Sequence, residues 1–79
     1  MHSAIAAIDR RVYMVSYDRL WKTMKAKGVT QYRLIKTYHF SSGQLDRLRR
    51  NENVNISTIA ALCEILDCGL EDVIELKKG

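Results

Sequence analysis

Thr30, Ser41 and Asn55 each stand directly ahead of a short run whose apolar residues recur at helical spacing. The side-chain oxygens of Ser, Thr and Asn accept hydrogen bonds from the free N–H groups of a first helical turn, so such residues mark where helices begin. Starts this close together leave room only for short helices and tight turns. After Thr30, Leu34, Ile35 and Tyr38 supply an apolar face through about Tyr38, and only His39 to Ser41 separate it from the next start. Ser41-Ser42-Gly43-Gln44 fits a capping box, with Ser41 at the cap and Gln44 at the third helical position. Leu45 and Leu48 form the inward pair of this helix, which ends near Arg50, before Asn51-Glu52-Asn53. Beyond Asn55, Ile56, Ile59, Ala60, Cys63 and Leu66 fall at spacings of three and four, the cleanest amphipathic pattern in the chain. Cys68-Gly69 breaks it.

Upstream, helical periodicity begins near Tyr17, with Asp18 or Ser16 as the cap and Leu20, Met24 and Trp21 facing inward. Gly28 ends this helix, because glycine readily takes the left-handed conformation of a helix C-terminus. Downstream, a short fifth helix is expected from Leu70, with Glu71 and Asp72 near its positive N-terminal end and Leu70, Val73 and Leu76 closing the core. The expected fold is all-α: a compact five-helix domain over residues 17–79, preceded by an extension over residues 1–16. The extension has three readings. Ala4, Ile5, Ile8 and Val12 suit an amphipathic helix. Val12-Tyr13-Met14-Val15, β-branched and aromatic, suits a short strand that can pair with Ile74-Glu75-Leu76 of its own or a second chain. It also suits a leftover of expression, with Met14 the natural start.

A chain of 79 residues is one domain, and at this size it buries only about 60 % of the surface its unfolded form exposes. A roomy active site does not fit in so small a core. There is no Ser-His-Asp or Cys-His set at workable spacing and no glycine-rich phosphate loop, so catalysis is not expected. No run approaches the ~18 apolar residues of a membrane span, and the charges of MHSAIAAIDRR follow its apolar stretch, the reverse of a secretory signal. Cys63 and Cys68 read as small core hydrophobes of a reducing, cytoplasmic compartment, since a disulfide between them would fight the helix. His2 and His39 lie too far away to complete a metal site, so no metal and no cofactor is expected.

Charge is unevenly placed. Residues 1–50 carry eleven Lys or Arg against three Asp or Glu, a net +8, while residues 51–79 carry two against six, a net −4. A basic half suits a polyanion, most simply nucleic acid.

The run Val29-Thr30-Gln31, Leu34-Ile35, Phe40-Ser41-Ser42 and Leu45-Asp46-Arg47-Leu48-Arg49, continued by Asn55 to Thr58 and Leu62 to Cys68, resembles the DNA-binding domain of the phage repressor and Cro (XRE-type) family. It is most similar to short stand-alone bacterial regulators, and the likeness spans about Tyr17 to Leu76. His39 stands where many members place glycine, and histidine tolerates the left-handed region better than most residues. Ile35 takes a position often filled by alanine where the second and third helices cross, which suggests a slightly wider crossing.

The resemblance implies a transcriptional regulator, in the first instance a repressor, whose third helix (about 42–50) enters the major groove of double-stranded DNA. Ser42, Gly43, Gln44 and Arg47 then face the base edges. Arg47 can make two bonds to guanine O6 and N7, worth ~1–3 kcal/mol of discrimination, and Gln44 can read adenine unless occupied as the partner of Ser41. Gly43 reads either as a close approach of backbone to the groove or as first-turn permissiveness. Gln31, Tyr32, Arg33, Lys36 and Ser41 on one side, and Arg50, Asn51, Asn53 and Thr58 on the other, are the expected phosphate contacts. Arg49 adds charge. One such domain reads few base pairs, so a homodimer on a two-fold-related site is expected. Its surface is sought in the fifth helix with Ile74-Leu76 or in the N-terminal extension. No small-molecule effector pocket is evident. The rival reading is a protein-interaction or antitoxin-like adaptor on the same fold, marked by an exposed apolar patch. RNA binding is disfavoured because Trp21, Tyr32, Tyr38 and Phe40 are scattered rather than arrayed on a sheet.

Overall fold

The computed structural model describes residues 13–78. Strand β1 (Tyr13–Ser16) leads into α1 (Asp18–Lys27), α2 (Gln31–Lys36), α3 (Ser42–Arg49) and α4 (Ile56–Leu66). A single 3-10 turn, Leu70–Asp72, and strand β2 (Glu75–Lys78) complete the described chain. The two strands pair antiparallel, Tyr13 opposite Lys78 and Ser16 opposite Glu75. Among the described residues, no helix is long and apolar enough to cross a membrane.

The helix boundaries follow local chemistry. Gly28 closes α1 at φ 71°, and its neighbour Val29 donates back to the Met24 carbonyl at 2.9 Å. Thr30 Oγ1 accepts from the Arg33 N–H at 3.1 Å and starts α2. His39 does take the left-handed region, at φ 55°, as the turn before α3 requires. α4 ends in a Schellman motif: Asp67 is left-handed at φ 51°, its N–H donates to Glu64, and the Cys68 N–H reaches the Cys63 carbonyl at 3.0 Å. Cys68 is thereby folded back over Cys63, and both are half-buried free thiols. Burial pushes the Cys68 thiol above its ordinary range, with Cys63 alongside adding to it.

Almost every element sends a wholly buried side chain to the core: Leu20 from α1, Leu34 from α2, Leu45 and Leu48 from α3, Leu62 from α4, and Val73 just before β2. Each such leucine is worth roughly 1.5–3 kcal/mol of transfer free energy. The acidic C-terminal segment is laced onto α1. Arg19 pairs with Glu75 at 3.3 Å, Lys77 with Asp18 at 2.8 Å, and Thr23 and Lys27 donate to the carbonyls of Asp72 and Asp67.

Several expectations are corrected. The expected fifth helix is one 3-10 turn followed by a strand, because β1 satisfies the backbone of Glu75–Lys78 that a helix would have satisfied internally. Of its expected core residues Val73 is buried, whereas Leu70 and Leu76 are 58 % and 65 % exposed. The strand reading of the extension holds from Tyr13, paired within its own chain. The helix expected from Ala4, Ile5, Ile8 and Val12 lies outside the described residues. α2 stops at Lys36 rather than near Tyr38, and Tyr38 lies in the turn, exposed. In α4 the packed face is Ile59, Leu62 and Leu66, while Ile56 and Ala60 point outward. Asn55 begins α4 without a side-chain bond.

Candidate nucleic-acid interface

The two short helices α2 and α3 are joined by the turn of residues 37–41 and held by a shared apolar interior. Leu34, Leu45 and Leu48 are fully buried, Ile35 and Phe40 pack against them, and the Phe40 N–H reaches back to the Leu34 carbonyl at 2.9 Å. With its leucines inward, α3 presents the opposite side to solvent. Ser42, Gly43, Asp46, Arg47, Arg49 and Arg50 are all exposed.

Ser41 Oγ accepts from the Gln44 N–H at 3.3 Å, so the cap exists. The reciprocal half of the expected box does not form. Gln44 is half-buried, and its Oε1 is shut away from solvent without a hydrogen-bond partner. An orphaned buried carbonyl is a cost that a change of rotamer toward solvent would remove. Gly43 at the second helical position is not demanded by packing. A Cβ there would meet only Ser41 Oγ, at 3.6 Å.

The cations of this face differ in what they are free to do. Asp46 was not singled out from the sequence, yet it holds Arg49 at 3.3 Å and Arg50 at 3.0 Å, and Glu52 holds Arg50 again at 3.4 Å. Arg49 Nε also donates to Gln31 Oε1 at 2.8 Å, linking α3 to the start of α2. Gln31 therefore keeps its amide nitrogen available and its oxygen committed. Arg47 has no ion pair or side-chain hydrogen bond among the described residues. On α2, Arg33 and Lys36 are exposed, and Lys36 Nζ sits 5.9 Å from the centre of the exposed Tyr32 ring.

Behind α3 the chain turns at Asn51, left-handed at φ 55°. Asn51 Oδ1 accepts from the Tyr17 backbone N–H at 3.1 Å, and the Tyr17 hydroxyl donates to the Glu52 carbonyl at 2.8 Å. Tyr17, which sequence reading placed only at the start of a helix, thus ties that start to the loop carrying Asn51 and Asn53. A tyrosine beside a helix start carries no local mark of such a distant partner. Asn53 is exposed and Thr58 is half-buried in the first turn of α4. Arg19 of α1 is paired with Glu75, whereas Lys22 and Lys25 of α1, Arg33 and Lys36 of α2 and Arg47 of α3 are exposed cations without an ion pair among the described residues.

Comparison with known proteins gives two matches. A model of the Cro/C1-type HTH DNA-binding domain matches residues 19–79. A crystal structure of the transcriptional regulator VanUg superposes with a TM-score of 0.77 at 31 % identity, covering 85 % of this chain and 89 % of that one. No curated protein matches the chain significantly.

Proposed function

The chain belongs to the family of Cro/C1-type helix-turn-helix DNA-binding domains, and from that premise we propose that it is a cytoplasmic transcriptional repressor. It acts by binding rather than by catalysis. As a homodimer it lays α3 into the major groove of double-stranded DNA. The observation that carries this reading is the two-sidedness of α3: Leu45 and Leu48 are fully buried, and Ser42, Gly43 and Arg47 are exposed.

Arg47 is the principal base reader, because among the described residues no carboxylate competes for its guanidinium. Ser42, Gly43 and Gln44 line the same face. Gln31, Tyr32, Arg33, Lys36 and Ser41 meet phosphates on one side of the groove, and Arg50, Asn51, Asn53 and Thr58 on the other. Arg50 exchanges Asp46 and Glu52 for phosphate oxygens. Exposed ion pairs of this kind are worth only about 0–1 kcal/mol, so the exchange is easy.

Selection of random duplex DNA by the purified protein tests the reading. Arg47→Ala should relax one position of the selected site, at a cost of ~1–3 kcal/mol of discrimination. Affinity should fall steeply between low and moderate salt, because each counterion displaced by a phosphate contact gains less entropy on release into a saltier solution. Selected sites indifferent to Arg47, or a flat salt profile, would overturn it.

A further inference from the structure

Cys63 and Cys68 stand five residues apart. In an unbroken helix such residues sit about 140° apart around the axis, and their thiols cannot meet. The end of α4 is not an unbroken helix. The left-handed turn at Asp67 folds the chain back, and the Cys68 N–H donates to the Cys63 carbonyl at 3.0 Å. A backbone hydrogen bond made directly between two residues brings their α-carbons into the ~4.4–6.8 Å range that a disulfide spans. The Schellman motif also favours side-chain contact between these two positions. Cys63 helps push the Cys68 thiol up, which places the sulfurs side by side. The objection that a bridge would fight the helix is thereby removed.

We propose that Cys63 and Cys68 form a modification site: a dithiol that a low-molecular-weight disulfide converts into an internal Cys63–Cys68 bridge, stapling the end of α4. Both thiols are free and half-buried. Cys63 also lines an apolar surface groove of about 350 Å³ with Ile56, Ala60 and Ile74, which gives a small oxidant its approach. Burial, then Cys63 and the Asp72 carboxylate, keep the Cys68 thiol protonated against the pull of Lys27. Cys63 is therefore the first attacker. Its thiolate attacks one sulfur of the oxidant and expels the other half as a thiolate. The Cys68 thiolate then attacks the Cys63 sulfur of that mixed disulfide and expels the second half. The protein gives up two protons and two electrons, and the oxidant becomes two thiols. In a reducing compartment the pair rests as thiols, and the bridge answers a rise in oxidised small disulfides.

The fold sets what the bridge does. It closes a ring through Asp67, whose carbonyl receives Lys27 Nζ of α1 at 3.1 Å. The reduced fold already holds the two residues together, so the bridge takes freedom mainly from the unfolded chain. By linkage, folding favours the bridge by the same factor by which the bridge favours folding. None of this depends on the reading of α3 as a groove reader.

The test titrates the purified full chain with mixtures of oxidised and reduced glutathione, in buffer and in urea. Intact mass and free-thiol assays read the state of the pair. In buffer the product should be a monomer lighter by the mass of two hydrogens, without a glutathione adduct, and dithiothreitol should reverse it. The bridge should be about tenfold or more favoured in buffer over urea, and the bridged form should melt roughly 5–10 °C above the reduced one. Cys68→Ser should stop at the glutathione adduct of Cys63, and absence of that adduct overturns Cys63 as the attacking thiol. Wild-type thiols that stay free in excess oxidised glutathione, a persistent adduct, or disulfide-linked dimers overturn the proposal. So does a bridge formed no more readily in buffer than in urea, or a bridged form that melts below the reduced one.

Discussion

Replacing Tyr17 by Phe removes one oxygen and asks what latches the first helix to the loop behind α3. Tyr17 is 2 % exposed, and its hydroxyl donates to the Glu52 carbonyl at 2.8 Å. Phenylalanine fills the same ring volume, so the cost of about 3–5 kcal/mol for an aromatic-to-alanine cavity does not arise. What disappears is one hydrogen bond, worth about 0.5–1.5 kcal/mol net. Glu52 is exposed and its carbonyl can take a water instead, which keeps the loss near the middle of that range. About 1 kcal/mol lowers the melting temperature of a domain this size by roughly 4–8 °C. Burial holds the Tyr17 phenol above its ordinary value, which is near 10. With the folded value above the unfolded one, the contribution is complete below about pH 10 and is lost as pH rises through the folded value. The gap between wild type and Tyr17→Phe should therefore narrow in alkali. Thermal melts followed by circular dichroism at neutral and alkaline pH measure both effects, with Tyr17→Ala as the reference for lost packing. A Phe variant that melts with wild type, or one as damaged as the Ala variant, would refute the latch.

Asn51 combines a left-handed backbone with a bond to the Tyr17 N–H. Asn51→Ala should lose about 2 kcal/mol, from the bond and the strain together. Asn51→Asp keeps the acceptor and should melt near wild type, yet bind duplex DNA about tenfold more weakly, having lost a donor and gained a negative charge. Gly43→Ala has room for its methyl and should gain up to ~1 kcal/mol of stability. A simultaneous fall in duplex affinity would show that the backbone approaches the groove at Gly43, and unchanged affinity would leave first-turn permissiveness as its reading. The hydrogen bond from Lys77 holds the Asp18 carboxyl below its ordinary value. Its stabilisation is present above the unfolded carboxylate pKa of about 3.9 and is lost as pH falls through the folded value. An NMR titration of Asp18 in Lys77→Met should show the carboxyl moving up toward its ordinary value.

Much of the site is legible because its chemistry is local. Thr30 and Ser41 cap helices by bonds three residues long, and His39 turns left-handed in the short connection between two helices. Leu45 and Leu48 fix which side of α3 is dry, and so which side holds Ser42, Gly43 and Arg47. The contacts that grade the site are not local. Arg47 stands apart from Arg49 and Arg50 only because Asp46 and Glu52 occupy the latter two. The bonds from Tyr17 to Asn51 and Glu52 join residues far apart in the chain.

Residue by residue, then, the chain itself specifies where its helices begin, how α1 ends at Gly28, and that residues 41–50 form a two-sided rod. Caps and left-handed turns depend on neighbours a few positions away, and those are written in order. Tertiary structure decided between equals. α4 carries two apolar stripes, and periodicity shows which residues share a face but not which face is packed. Glu75–Lys78 became a strand because Tyr13–Ser16 lay alongside to satisfy its backbone. Only packing could make that choice, since the partner of this strand lies at the other end of the described chain.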